Sequence, residues 1–208
     1  MILKSFSLGP LGTNCYIVYH DKEALIIDPG AEGEKLVDWL TKQELEPLAI
    51  LLTHAHFDHI GAVDHLRNHY AIPVYMHEAE QDWLESPTLN GSELFIGNGI
   101  STTRPDYLLE HGHSSIGTFD FEVMYTPGHS PGSISFLFRD DNLIISGDVL
   151  FNQGIGRTDL TGGDYHVLQD SIRNKLYKLP NELIVYPGHG PQTTIGVEKL
   201  HNPFVREN

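Results

Sequence analysis

The sequence has little cysteine, little positive charge and no long apolar run. Cys15 is the single cysteine among 208 residues, which excludes an intramolecular disulfide and a cluster of thiolate ligands. No run reaches the roughly 18 apolar residues of a membrane helix, and the first residues lack the basic and apolar regions of a signal peptide. We therefore expect a cytoplasmic protein, in a reducing compartment, with no membrane partner.

The scarcity of basic residues bears on the class of partner. Lys and Arg number 13 against 28 Asp and Glu, and the formal net charge is -15. Such a charge repels the phosphates of nucleic acids, so we expect no nucleic acid partner, although surplus carboxylates also serve solubility alone. A chain of this length can bury one sizeable core, and we predict a single domain over residues 1–208.

The apolar periodicity predicts a mixed α/β fold in which strands, helices, strands, a helix and a strand follow in turn. Each amphipathic helix must bury its apolar stripe against a sheet, so this order predicts two stacked sheets with helices on the outer faces. Residues 87–103, rich in Gly and Asn, are predicted as a long loop with an apolar tip that could act as a lid. The predicted strands span 2–8, 15–19, 24–27, 48–52, 73–76, 107–110, 119–125, 134–138, 142–145 and 183–186, and the predicted helices span 34–42, 60–70, 78–84 and 166–179.

The most informative stretch is 53–61, which reads Thr-His-Ala-His-Phe-Asp-His-Ile-Gly between an apolar run and a helical pattern. Four of these nine residues can bind a metal: His54, His56, Asp58 and His59. Imidazole and carboxylate suit zinc, iron or manganese, and the absence of nearby thiolates argues against a closed structural zinc site. The stretch therefore predicts an open, working metal site.

Three later stretches share one design, in which an apolar run leads into a metal-binding residue flanked by glycine. These residues are His129, Asp148 and His189. Binding residues collect at the ends of sheet strands, and glycine allows the close backbone approach that such a site needs. With the first cluster they make five histidines and two aspartates, too many ligands for one tetrahedral zinc and enough for two ions.

The spacing suggests how these ligands divide between two ions. Alternate residues of an extended segment point the same way, so His54 and His56 are expected to share one ion. Asp58 and His59, at a helix start, would serve the other. Asp148 is the natural bridge, because a carboxylate has two oxygens.

These residues together resemble the metallo-β-lactamase superfamily of αββα hydrolases. Within that superfamily, residues 147–151 and 156–159 resemble the small single-domain glyoxalase II-like group, also described as hydroxyacylglutathione hydrolase-like. The resemblance implies the four-layer αββα sandwich and a binuclear site with Asp148 as the bridge. It also implies that His54, His56 and His129 hold one metal, and that Asp58, His59 and His189 hold the other.

The implied activity is hydrolysis of a small thioester, such as S-lactoylglutathione or a related thiol ester, by a hydroxide that bridges two divalent metals. Zinc is the expected metal, with iron and manganese as alternatives. Asp58 is the expected catalytic residue, because it could orient the hydroxide and accept its proton. The leaving thiolate has a conjugate acid of pKa about 8.5, so its departure needs no strong general acid.

Two features concern the substrate. Full-length glyoxalase II enzymes carry a C-terminal helical domain that binds glutathione, whereas only 19 residues follow His189, so we expect no such domain. Arg157 could bind a carboxylate of the substrate, or instead pair with Asp159 and hold its glycine-rich loop. Asp28, before Pro-Gly, is expected to orient a ligand rather than to bind the metal.

Other functions fit part of the pattern. An iron-dependent persulfide dioxygenase shares the ligands and the Gly-Arg-Thr-Asp at 156–159, but the Pro-Gly-His-Gly at 187–190 favours a hydrolase. The charge disfavours a nuclease, and a bridging Asp148 disfavours a β-lactamase. A non-catalytic metal-binding partner of another enzyme is a further alternative. The His-x-His at 111–113 lacks the following Asp-His, and we interpret it as an exposed strand end or the rim of a pocket.

Overall fold

The computed structural model describes residues 1–206, and the chain forms two compact units. The first unit comprises Met1–Leu109 and Ser115–Phe119, and the second comprises Glu110–Ser114 and the chain from Asp120 onward. The last two residues of the predicted domain, 207 and 208, lie outside the described residues.

The first unit is built on a six-stranded sheet of order β1-β2-β3-β4-β5-β6. Its strands are β1 Ile2–Leu8, β2 Thr13–His20, β3 Glu23–Ile27, β4 Glu46–Leu51, β5 Val74–Met76 and β6 Tyr107–Leu108. Its helices are α1 Gly33–Lys42, α2 Phe57–Ile60, α3 Val63–Tyr70 and α4 Ser92–Ile96, with a 3-10 helix at Glu78–Trp83. Leu36 of α1 and Leu66 of α3 pack in one core with Ile26 and Ile50 of the sheet, so these helices bury their apolar stripes against it.

The second unit is built on a six-stranded sheet of order β14-β13-β10-β9-β8-β7, beside a two-stranded sheet of β11 and β12. Its strands are β7 Gly112–Ile116, β8 Phe119–Tyr125, β9 Ile134–Phe138, β10 Leu143–Gly147, β11 Leu150–Phe151, β12 Gly154–Ile155, β13 Ile184–Pro187 and β14 Thr193–Thr194. Its helices are α5 Tyr165–Asn174 and α6 Ile195–His201, with a 3-10 helix at Leu176–Lys178. Leu168 and Ile172 of α5 pack in one core with Ile144 and Val185 of the sheet.

Strand direction places the metal-binding residues within each unit. In the second unit β10 is parallel to β13 and antiparallel to β9, which is antiparallel to β8. The strands β8, β10 and β13 therefore end at the same edge of the sheet, where His129, Asp148 and His189 follow them. In the first unit β3 and β4 are parallel, so Asp28 and the segment from Thr53 emerge together.

The structure contains the predicted helices and strands, with five differences. The helix predicted over 166–179 ends at Asn174 as α5 and is followed by the 3-10 helix Leu176–Lys178. The helix predicted over 60–70 is two helices, α2 and α3, and the helix predicted over 78–84 is a 3-10 helix. The segment 87–103 contains the helix α4, because the buried Asn90 donates to the carbonyls of Trp83 and Ile100 and so ties the segment together. The prediction of a loop there was wrong for residues 92–96. The predictions also missed β7, β11, β12, β14 and α6.

In the part of the chain that the structure describes, no helix has the length and apolar character needed to cross a membrane.

Candidate metal centre

The first ligand set comprises His54, His56, Asp58 and His59, and it lies on the segment that leaves β4 in the first unit. Its three imidazole rings are buried and close: the centroids of His54 and His56 are 4.9 Å apart, and those of His54 and His59 are 4.1 Å apart. Burying so many polar groups costs free energy unless partners compensate it. The cluster is therefore built for polar contacts rather than for apolar packing.

Asp28 determines which ring nitrogens point into this set. Its carboxylate accepts hydrogen bonds from the backbone N–H of Thr53 at 2.8 Å and from Thr53 Oγ1 at 2.6 Å, and its Oδ2 lies 3.0 Å from His59 Nδ1. Thr53 Oγ1 in turn lies 3.0 Å from His54 Nδ1. The Thr53 hydroxyl donates its proton to Asp28, so its oxygen accepts from His54 Nδ1. His59 Nδ1 donates to the Asp28 carboxylate, which can only accept. The Nε2 atoms of both histidines then carry lone pairs, the form that binds a metal.

One ligand atom from each of Asp28, His54 and His59 lies within 4.8 Å of the others, so geometry alone would allow Asp28 to bind the same ion. Both of its oxygens, however, already accept hydrogen bonds from Thr53. Asp28 therefore has the contacts expected of a residue that orients His59.

Glu80 is a buried carboxylate that the sequence analysis did not identify. Its Oε2 accepts a hydrogen bond of 2.7 Å from the backbone N–H of Ala55, which lies between His54 and His56. This contact holds the backbone from which both histidines project. Glu80 lies on the 3-10 helix Glu78–Trp83, and a single Glu in a short, polar helix carries no sequence signal for such a role.

Asp58 is held by two further contacts that the sequence did not reveal. The Thr13 hydroxyl donates to Asp58 Oδ2 at 2.6 Å, which restricts rotation of the carboxylate. A Cβ at Gly30 would lie 1.6 Å from the Asp58 carbonyl oxygen, so only glycine allows these two backbones to approach. The same Oδ2 lies 3.5 Å from His59 Nε2, which brings the two ligands together.

The second ligand set comprises His129, Asp148 and His189, and it lies in the second unit. Asp148 Oδ2 is 3.6 Å from His129 Nε2 and 3.4 Å from His189 Nε2. One carboxylate oxygen is thus next to both imidazoles. This arrangement would allow Asp148 to contribute to a metal site with both histidines.

The protonation of His129 shows that this set fits a cation. Its Nδ1 lies 2.7 Å from the carbonyl oxygen of Arg157, which can only accept, so Nδ1 carries the proton. In the neutral ring Nε2 then carries a lone pair, and it lies next to the Asp148 carboxylate. A cation that binds both acceptors removes their repulsion, as would a proton on Nε2. Nitrogen and oxygen donors of this kind suit divalent zinc, iron or manganese.

Gly156 keeps this set compact. A Cβ there would lie 1.9 Å from the Asp148 carbonyl oxygen and 3.0 Å from His129 Nδ1. The glycine-rich segment therefore packs its backbone directly against two ligands.

Arg157 pairs with Asp159 through two hydrogen bonds, Nε to Oδ1 at 2.7 Å and Nη2 to Oδ2 at 2.8 Å. The Arg157 guanidinium lowers the pKa of Asp159 to about 2. Of the two roles considered for Arg157, the structure contains the loop contact, and the substrate contact stays a prediction.

Four other histidines, His65, His69, His111 and His113, belong to neither set. His65 and His69 are exposed on α3. His111 Nδ1 lies 2.9 Å from the carbonyl oxygen of Val123, and His113 is an exposed residue of β7, 3.6 Å from Asp120. The segment 111–113 is thus at a strand, as interpreted from the sequence.

Comparison with curated proteins supports a metallo-hydrolase. The chain is 49% identical over 199 residues to the probable metallo-hydrolase YqgX of Bacillus subtilis, covering 95% of this chain and 94% of the relative. It is 38% identical over 195 residues to the hydroxyacylglutathione hydrolase GloC of Haemophilus influenzae, covering 92% of each.

Comparison with solved structures confirms the predicted fold class. BLEG-1, a B3 metallo-β-lactamase, is 55% identical with a TM-score of 0.96, and the match covers 98% of this chain and 99% of that one. TTHA1623, solved in a di-iron-bound form, is 41% identical with a TM-score of 0.86 over 97% of this chain and all of that one. Residues 8–189 also match the Metallo-beta-lactamase superfamily, so the chain belongs to that superfamily and has its α/β fold.

Proposed function

We propose that this protein is a binuclear metallo-hydrolase that cleaves a small thioester, such as S-lactoylglutathione or a related thiol ester. The observation that carries the proposal is Asp148, whose Oδ2 lies within 3.6 Å of both His129 and His189. A single carboxylate oxygen beside two histidines allows Asp148 to be shared between two ions, as the family resemblance implies. The 38% identity to a hydroxyacylglutathione hydrolase supports the choice of substrate class.

The metal assignment follows the family pattern. Zinc is the proposed metal, and the di-iron form of TTHA1623 makes iron the first alternative. Two ions bound there would supply a hydroxide nucleophile at neutral pH and polarise the substrate carbonyl. In the proposed assignment His54, His56 and His129 hold one ion, Asp58, His59 and His189 hold the other, and Asp148 is shared.

The protein's own side chains would orient the attacking oxygen and the histidine rings. Asp58 would orient the attacking oxygen and accept its proton, and the hydrogen bond from Thr13 to Oδ2 holds the carboxylate in one rotamer. Asp28 and Thr53 accept from the Nδ1 atoms of His59 and His54, which fixes the ring orientation and leaves Nε2 as the atom that would bind a metal. A thiolate then leaves without a strong acid, since its conjugate acid has a pKa of about 8.5.

A second candidate activity is opening of a β-lactam ring. The 55% identity and TM-score of 0.96 to BLEG-1 favour it over the sequence-based objection that Asp148 acts as a bridge. Both reactions begin with attack on a carbonyl carbon. They differ in the leaving group, because an amide nitrogen must be protonated to depart whereas a thiolate need not be.

We also propose that the two units act as a single domain on a small-molecule substrate, in the cytoplasm and without nucleic acid or membrane partners. The net charge of -15 and the buried single cysteine support this proposal.

The test is metal analysis of the purified protein together with a substrate panel of thioesters, β-lactams and persulfides. We expect two metal ions per chain and thiol release from a thioester, reduced by at least about 10²-fold in Asp58→Asn and Asp148→Ala. His69→Ala, which changes an exposed histidine outside both sets, is the control.

Other outcomes identify the alternatives. Oxygen consumption with a persulfide and one iron per chain would indicate a dioxygenase, and faster turnover of a β-lactam would favour the second candidate. Metal binding without turnover of any substrate would indicate a non-catalytic partner protein. No thiol release from fully metallated protein contradicts the main proposal.

A further inference from the structure

The first unit contains a cavity of about 370 Å³ that Asp58 lines together with mostly apolar residues. This volume is at the low end of the ~300–1,000 Å³ typical of small-ligand pockets. The side chains that form its apolar walls are Leu8, Leu11, Phe57, Phe95, Ile96 and Ile100.

The polar residues that line the cavity include a proposed metal ligand. Thr13 and Asp58 both line it, and they are joined by the 2.6 Å hydrogen bond from the Thr13 hydroxyl. A molecule whose carbonyl lies beside Asp58 would therefore extend its next atoms between apolar side chains. Asp58 therefore both lines the cavity and takes part in the proposed reaction.

The described residues that line the cavity include no Lys, Arg or His. Biological thiols carry carboxylate, ammonium or phosphate groups, and burying such charges without partners is costly. The thiol portion of a thioester is therefore unsuited to this cavity. An uncharged acyl group fits it.

One wall of the cavity is firmly held. The backbone N–H of Phe57 donates to the carbonyl oxygen of Asn90 at 3.1 Å, and the Asn90 side chain donates to the carbonyl oxygen of Ile100 at 2.9 Å. The ring of Phe95 stacks on that of Phe57, with centroids 5.6 Å apart and planes inclined by 25°. Phe57 thus joins the cavity wall directly to its sequence neighbour Asp58.

Part of the cavity lining consists of apolar side chains that are about half exposed. Leu11 is 54% exposed, Phe95 44% and Ile96 47%. An acyl chain in the cavity would remove part of this apolar surface from water, which is the driving force for its binding. Each buried methylene contributes a factor of about four in affinity.

We infer that this cavity is an acyl pocket, and that the preferred substrates are thioesters with an uncharged, apolar acyl group of intermediate length rather than a short polar one. The inference rests on the proposed thioester hydrolysis and narrows it, because within that function it favours a thiol ester with an apolar acyl group over S-lactoylglutathione. The residues that would determine chain length are Phe95, Ile96 and Ile100, which lie on and after α4.

The first experiment varies the acyl chain on one common thiol, from acetyl through butyryl and hexanoyl to octanoyl, with the metal-loaded protein. We expect kcat/KM to rise by about fourfold per methylene until the cavity is filled, and then to level off. A second series with one acyl group and different thiols should vary much less. A flat acyl series, or a preference for lactoyl over butyryl, overturns the inference.

Matched variants test whether the dependence on acyl chain length comes from the cavity lining. Phe95→Ala should lower the ratio of hexanoyl to acetyl kcat/KM by about tenfold, since most of an aromatic wall is removed. Leu94→Ala is the control, because Leu94 is 75% exposed and lies outside the cavity lining. Equal ratios in the two variants would contradict a role for the cavity.

Direct binding separates failure of this inference from failure of the proposed function. Hexanoate and acetate, titrated calorimetrically into the metal-loaded protein at two temperatures, should differ in affinity, and hexanoate should bind with a more negative heat capacity change. If the protein cleaves no thioester, but hexanoate binds more tightly than acetate and Phe95→Ala removes that difference, the acyl pocket is supported and only the proposed reaction is wrong. Equal affinities for the two acids overturn the pocket.

Discussion

The two ligand sets are held in place by different means. The first set lies within six consecutive residues and is held by side chains from other elements: Asp28, Glu80 and Thr13. The second set is spread over 61 residues and is held by the main chain, through the Arg157 carbonyl and the backbone of Gly156.

The difference follows from where each set lies. The segment after β4 has left its sheet, so side chains must replace the ladder hydrogen bonds that would otherwise hold it. The residues after β8, β10 and β13 follow directly from paired strands, so the sheet already positions them. Substitutions should therefore damage the first set through lost side-chain partners and the second through backbone clashes.

Asp28→Ala should have the largest effect. It removes the acceptor of Thr53 and the partner of His59, all buried, and we expect a loss on the order of 3 kcal/mol in the free energy of unfolding together with weaker metal binding. Urea unfolding and competition with a chelator measure the two effects. Asp38→Ala, an exposed change on α1, is the control. Wild-type metal affinity in Asp28→Ala would contradict the role given to Asp28.

Gly156→Ala should disturb the second set through the backbone. Its Cβ would lie 1.9 Å from the Asp148 carbonyl oxygen, and such overpacking typically costs about 1–3 kcal/mol. We expect lower metal occupancy, measured by mass spectrometry of the native protein. Gly154→Ala is the matched control, because its Cβ would meet only the Phe151 side chain at 3.5 Å. Equal occupancy in both variants would show that the close approach of Gly156 is unimportant.

Glu80→Gln should have a smaller effect, because the amide keeps an oxygen that can accept from the Ala55 N–H. What it removes is a buried negative charge near His54 and His56, and we expect metal affinity to fall by about tenfold. Chelator competition measures the change, with the exposed Glu78→Gln as control. An unchanged affinity would limit Glu80 to a structural role.

Arg157→Ala should have the smallest effect on folding, since the pair with Asp159 is exposed. The pKa of Asp159, held at about 2 by the Arg157 guanidinium, should rise towards its ordinary value of about 3.9. Because this folded pKa is lowered, the contribution of the pair to stability is complete above about pH 4 and disappears as the pH falls through about 2. A carbon-detected NMR titration of Asp159 checks the shift.

The same variant tests the second role considered for Arg157. Asp159→Asn weakens the loop contact but keeps the guanidinium. If Arg157 also binds substrate, Arg157→Ala should raise KM more than Asp159→Asn does. Equal effects of the two variants would leave only the loop contact.

Sequence periodicity predicted the long strands β1, β8 and β9 with the bounds of 2–8, 119–125 and 134–138. It missed the two-residue strands β11, β12 and β14, since so short a segment shows no alternation, and it also missed the longer β7 and α6. It also failed for α4, which forms because Asn90 and Ser92 make hydrogen bonds to the carbonyl and amide groups around Ile100. Such contacts depend on residues that approach only after folding.

The sequence by itself determined the kinds of donor atom that this protein can offer a metal. The residues His54, His56, Asp58 and His59 and their spacing can be read directly from the nine-residue stretch 53–61. It also determined which strands lead into His129, Asp148 and His189. Only the tertiary structure decided that Asp28, Thr13 and Glu80 hold the first set, and that Gly156 packs against the second. The physical reason is that a hydrogen bond or a close backbone approach depends on distance in space, and residues as far apart as Thr13 and Asp58 carry no sign of it in the chain.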